Sequence, residues 1–187
     1  MSSICVLGWG SLIWNPGQLK LHARHDWQED GPHLPIEFAR ISSRDRLTLV
    51  RKKGAAPVQV LWHKMNPAMT LHEALESLRV REGCSTTEPI GYVDVRSGRQ
   101  RCRDEVFASV VRDWANEKGV DQVIWTDLGV NFKHEFGVRH TPEHAIRYLK
   151  SLADRSHARE YVEKAPAQIV TPVRTEIARV LRWDGTS

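Results

Sequence analysis

The sequence predicts an α+β domain, on three observations. Strand-like runs crowd the first third of the chain, and helical periodicity with capping residues fills much of the rest. No βαβ alternation joins the two. The apolar fraction of 41% over 187 residues suits one globular domain with its own core. The expected organisation is a single domain over 1–187 with an unusually helical carboxyl-terminal part from about 100.

The elements follow in order. Ile4 to Gly8 reads as a short buried strand stopped by glycine. The turn-forming Asn15-Pro16-Gly17 closes the segment after it. Leu34–Phe38, Arg46–Val50 and Val58–Trp62 read as strands, with Lys52-Lys53-Gly54 as a turn. The next helix opens either at Asn66, with Pro67 in its first position, or at Thr70, which has capping-box spacing with Glu73, and Leu71, Leu75 and Leu78 fall on one face. Gly83 is placed to end it, which makes Glu82 the last residue before the stop. Gly91–Val95 reads as a strand ending at Ser97-Gly98.

Glu105–Lys118 reads as a helix with Val106, Val110, Val111 and Trp114 inward, ended by Gly119, and Val120–Trp125 as a strand. Thr141-Pro142-Glu143 opens a helix to about Ala153. A further helix is expected over about Ser156–Lys164, and Arg174–Trp183 reads as a last helix or partly as a strand.

Several function classes lose ground at once. The net charge of +4 is modest, and its densest basic stretch (Arg96, Arg99, Arg101, Arg103) runs directly into Asp104-Glu105. That pattern reads as a solvated surface and argues against nucleic acid as a partner. Gly8-Trp9-Gly10 is no dinucleotide fingerprint, because Ile13 stands where the third glycine belongs.

Among nine histidines, His140 and His144 have HxxxH spacing, but Thr141-Pro142 puts His140 outside the helix, so no metal is expected. Three cysteines without a CxxC pair suit a reducing compartment, and no apolar run reaches the roughly 18 residues of a membrane span. A cytoplasmic location without membrane association is expected, with no signal-peptide pattern in the first residues. Oligomeric state is not legible.

Two segments carry chemistry together. Leu7-Gly8-Trp9-Gly10-Ser11-Leu12-Ile13-Trp14 follows the first strand, and Leu78-Arg79-Val80-Arg81-Glu82-Gly83 follows a strand–helix unit. This pairing resembles the γ-glutamylcyclotransferase family, including its glutathione-degrading branch. In that family a first strand leads into a Tyr-Gly-Ser-Leu loop, and a later Glu-Gly supplies the catalytic carboxylate. The resemblance covers residues 4–100, and Phe38-Ala39-Arg40 and Tyr92 also fit its pattern. Trp9 departs from it, standing where the family has tyrosine, and residues 100–187 match it poorly.

The resemblance implies a mixed sheet curled into a small barrel with helices packed outside. It also implies cyclisation of a γ-glutamyl unit to 5-oxoproline with release of an amine or amino acid. Because the attacking amine is tethered to its target carbonyl, holding the folded conformer removes much of the entropic barrier. What remains is proton transfer, which one carboxylate can perform twice when burial tunes its acidity.

On this reading Glu82 is the acid–base, and Trp9, Gly10, Ser11 and Leu12 cradle the substrate with backbone amides. Arg40 and Tyr92 add polarity to the pocket, and no cofactor is needed. The plainer alternatives are a solvated helix-terminal Glu82 and a structural Gly10-Ser11 turn. A binding or regulatory module on the same scaffold is the rival function.

Overall fold

The computed structural model describes residues 2–42 and 45–183 and is α+β. Its strands are β1 (Ile4–Gly8), β2 (His33–Leu34), β3 (Ile36–Ser42), β4 (Arg46–Arg51), β5 (Val58–Gln59), β6 (Leu61–Lys64), β7 (Ile90–Asp94), β8 (Gln100–Arg101) and β9 (Gln122–Thr126). Its helices are α1 (Leu71–Glu82), α2 (Glu105–Lys118), α3 (Phe132–Phe136), α4 (Pro142–Ser151), α5 (Ser156–Lys164) and α6 (Pro172–Leu181). Among the described residues no helix is long and apolar enough to cross a membrane.

The chain forms two compact units built from interleaved segments. The first takes β1 with Asn15–Leu34 and Gln59–Leu128. Its centre is a five-stranded sheet in the order β6-β1-β9-β7-β8, mixed because β1 and β9 run parallel while the other neighbours are antiparallel. β1 is buried over its whole length, as its unbroken apolar sequence requires of a central strand. α1 and α2 pack against this sheet.

The sheet does not close into the expected barrel, and no sheet does so among the described residues. One edge, β8, is only two residues long. At the other edge, an irregular stretch makes isolated bridges to β6 (Gln28 to Trp62) and to the residue after it (Leu21 to Met65) instead of adding a closing strand.

Two helix predictions for this unit differ in outcome. The Thr70–Glu73 capping box forms, with Thr70 Oγ1 accepting from the Glu73 N–H at 3.3 Å and Glu73 Oε2 accepting from the Thr70 N–H at 2.8 Å. Gly83 ends α1 in the left-handed region at φ 68°. In α2 the inward face is rotated from the expected one, with Val106 74% exposed and Phe107 buried with Val111 and Trp114. The Phe107–Val111–Trp114 stripe places a larger apolar surface inward than one led by Val106 would.

The second unit takes Trp9–Trp14, Pro35–Val58 and the chain from Gly129. β3 and β4 pair antiparallel, with a register shift between Phe38 and Arg40, and α3, α5 and α6 pack on this ribbon. The last helix starts two residues before the expected Arg174, because Thr171 caps it and Pro172 takes its first turn. Arg174 turns inward and donates to the carbonyls of Pro166 (2.5 Å) and Ala165 (3.0 Å), fixing the α5–α6 connection.

Candidate active site

β1 delivers the chain into a tight turn, in which the Ile13 N–H donates to the Gly10 carbonyl at 3.0 Å. Side-chain packing within the second unit decides the conformation of this loop. Trp9 is buried, and its indole N–H donates to the Leu49 carbonyl at 3.2 Å. The Leu49 N–H donates to Tyr161 Oη at 3.3 Å, so both polar groups of one β4 residue are held by side chains.

A Cβ built on Gly10 would lie 2.1 Å from Tyr161 Oη, which restricts that position to glycine by contact. Trp14 meets the Tyr161 ring edge-on at 5.3 Å. Leu12 is buried and Ser11 half-buried. The indole at position 9 therefore serves as a structural donor to β4.

Glu82 closes α1 in the first unit. Its Oε1 accepts from Arg81 Nη1 at 2.5 Å, with side-chain exposures of 16% for Glu82 and 11% for Arg81. Arg81 Nη2 also donates to the Asn15 carbonyl at 2.7 Å, and Arg81 Cγ lies 3.9 Å from where a Cβ on Gly17 would stand. The Asn15-Pro16-Gly17 turn and the Glu82 carboxylate thus share one guanidinium. The helix end is fixed independently, with the Cys84 N–H on the Arg79 carbonyl (3.1 Å) and Arg79 Nη1 on the Cys84 carbonyl (2.7 Å).

The remaining predicted residues, Arg40 and Tyr92, lie on other elements. Arg40, in the second unit with the Trp9–Leu12 loop, donates from Nη1 to the Gly129 carbonyl at 3.0 Å and so anchors a connection. Asn131 continues that anchoring by accepting the Ile41 N–H and donating to the Ile41 carbonyl, both at 2.9 Å.

Tyr92, in the first unit with Glu82, pairs with Arg101 across β7 and β8 and lines a cavity with the first turn of α1. Glu82 lies at the other end of α1, about 16 Å away along a helix of this length. The structure does not bring Tyr92 and Glu82 together.

Other candidates resolve plainly. Burial pushes the Cys5 thiol up to about 12, with Lys64 opposing, which leaves it unreactive in the core. His140 Nε2 donates to the Phe38 carbonyl (2.8 Å), while His144 Nδ1 lies 2.7 Å from the Arg139 carbonyl, so the HxxxH pair serves two separate backbone groups. Among the described residues no three His, Cys, Asp or Glu side chains are grouped as metal ligands.

Sequence reasoning missed Tyr161, whose hydroxyl lies against Gly10, and Arg101, assigned to a solvated basic run. The only signal for Arg101 was the Ser97-Gly98 turn, which folds Gln100-Arg101 back onto Tyr92. No family model, curated protein or solved structure matches this chain.

Proposed function

We propose that the protein is a γ-glutamylcyclotransferase-like enzyme that cyclises a γ-glutamyl unit to 5-oxoproline and releases an amine or amino acid. The observation that carries this reading is Glu82: a carboxylate closing a capped helix, only 16% exposed, with its glycine stop beside it. Partial burial withdraws the group from bulk water, where a proton-transfer residue can face a substrate instead of solvent. The second support is the turn after β1, which packing holds in one conformation and which therefore needs little ordering when it meets a ligand.

In the proposed reaction Glu82 takes a proton from the substrate ammonium as the amine attacks the γ-carbonyl. It then returns that proton to the departing nitrogen. The resemblance assigns the backbone amides of Trp9 to Leu12 to the substrate carboxylate or the developing oxyanion. A cytoplasmic setting belongs to this proposal. Tyr92 takes no part in the proton transfer, because it lies at the far end of α1.

One observation favours the rival, a non-catalytic binding module: Glu82 is ion-paired with its neighbour Arg81. Incubation of the wild-type chain with glutathione, γ-glutamyl amino acids and γ-glutamyl amines, followed by assay of 5-oxoproline, separates the two. Release from at least one panel member is expected, and its identity names the leaving group. Saturable binding of a panel member without any 5-oxoproline would establish the module instead.

A further inference from the structure

The cavity that Tyr92 lines has a volume of about 540 Å³ and belongs wholly to the first unit. Its wall combines Arg99, Arg101, Tyr92, Asp94, Thr87 and Leu75 with the first turn of α1. Arg101 is the residue whose state calls for explanation. Its Nε donates to the Ile90 carbonyl at 2.9 Å, and its guanidinium carbon stands 5.5 Å from the Tyr92 ring centroid. Its Nη2 is buried and has no hydrogen-bond partner among the described residues. A guanidinium N–H taken from water without an acceptor is costly, so this one calls for a partner from outside the chain, an ordered water, an ion or a ligand.

The one carboxylate in the wall does not fill that role. Asp94 Oδ1 accepts from the Arg96 and Ser97 N–H groups (3.1 and 3.2 Å), and Oδ2 accepts from Gln122 Nε2 at 3.1 Å. Burial works to raise its pKa, but the hydrogen bonds from Ser97, Gln122 and Arg96 prevail and hold the carboxyl below its usual range. Asp94 is thus spent on the β7–β8 turn. Neither Arg99 nor Arg101 forms an ion pair among the described residues. The cavity therefore carries two cations without ion-pair partners against one carboxylate, a hydroxyl from Thr87 and an apolar floor from Leu75. The positive end of the α1 dipole adds to the same sign of field.

We infer that this cavity is a binding site for a small organic oxyanion, a carboxylate or a phosphate ester. Arg101 receives the oxyanion through its guanidinium fork, and Arg99 closes on it from the exposed rim. The carbon skeleton lies against Leu75. The site is at the opposite end of α1 from Glu82, and its occupancy does not depend on what Glu82 does.

Isothermal titration of the full chain with inorganic phosphate and, separately, with glutarate tests this, at ionic strength held constant with chloride. Saturable binding of at least one is expected, and the better ligand identifies the oxyanion class. Arg101→Lys keeps the charge and loses the fork, and should weaken that binding about tenfold. Should Arg101→Lys fail to fold, Arg99→Ala, at an exposed position, decides by the same comparison with about threefold weakening. Saturation by neither probe, or an affinity that the deciding variant leaves unchanged, overturns the proposal.

Discussion

Gly10 shows how one residue can be fixed by a partner distant in sequence. Its Cβ direction is blocked by Tyr161 Oη at 2.1 Å, and that hydroxyl is held in turn by the Leu49 N–H. A methyl group there must displace the ring or the loop, so Gly10→Ala should destabilise the protein by about 1–3 kcal/mol. Tyr161→Phe removes the obstructing oxygen, at a cost of about 1 kcal/mol for the lost hydrogen bond. The two substitutions share a contact, so urea denaturation of the double variant should show less than the sum of the single losses. Strict additivity would mean that the Gly10–Tyr161 contact does not set the loop. Trp9 belongs to the same arrangement, since its indole N–H on the Leu49 carbonyl is a bond that a tyrosine ring would have to make differently.

At the scale of elements, local signals read well and packing directions read poorly. The α1 caps were legible because Thr70, Glu73 and Gly83 act within one turn of the chain. The start of α6 was missed although Thr171-Pro172 repeats the pattern of Thr141-Pro142, because the apolar residues used to place it began later. The α2 face was misread because Val106 and Val110 mimic an i, i+4 pair, whereas the bulk lies on Phe107, Val111 and Trp114. The Val58–Trp62 run breaks at Val60, whose carbonyl accepts the Gly31 N–H at 3.1 Å, a partner that no local pattern announces.

The residue preceding α4 by two, His140, ties that end of the helix to β3 through the Phe38 carbonyl, leaving Nδ1 buried and unpartnered. Burial, helped by the neighbouring Lys52 and His144 charges, lowers its pKa from 6.5 to about 4. Between those two values the unfolded chain binds the proton more readily, so stability falls as pH drops from 6.5 toward 4. With partial solvent access discounted, the loss should be about 1–3 kcal/mol in urea midpoints taken at pH 7 and pH 4. His140→Gln should lose that slope, and an unchanged slope would assign it to other groups.

For the whole molecule, linear order and compact unit do not coincide. The strand Ile4–Gly8 belongs to one unit, and the loop that follows it directly, Trp9–Trp14, to the other. A sequence motif that joins them is therefore read across a change of unit, which periodicity does not reveal. The mixed sheet was foreseeable as a class, but its openness follows from the two-residue β8 and the irregular cover on β6, features below the resolution of pattern reading. The candidate site was legible as residue types in order, whereas its supporting contacts, Arg81 on Glu82 and Tyr161 on Gly10, emerged only in three dimensions.

The central claim is that Glu82 moves the proton, and Glu82→Gln tests it most directly. The variant preserves shape and removes the acid–base function. With its melting temperature within a few degrees of wild type, its 5-oxoproline formation from the best γ-glutamyl substrate should fall by about 10²-fold or more, while that substrate still binds. A variant that turns over within a few-fold of wild type would contradict the claim and leave Glu82 as the structural partner of Arg81.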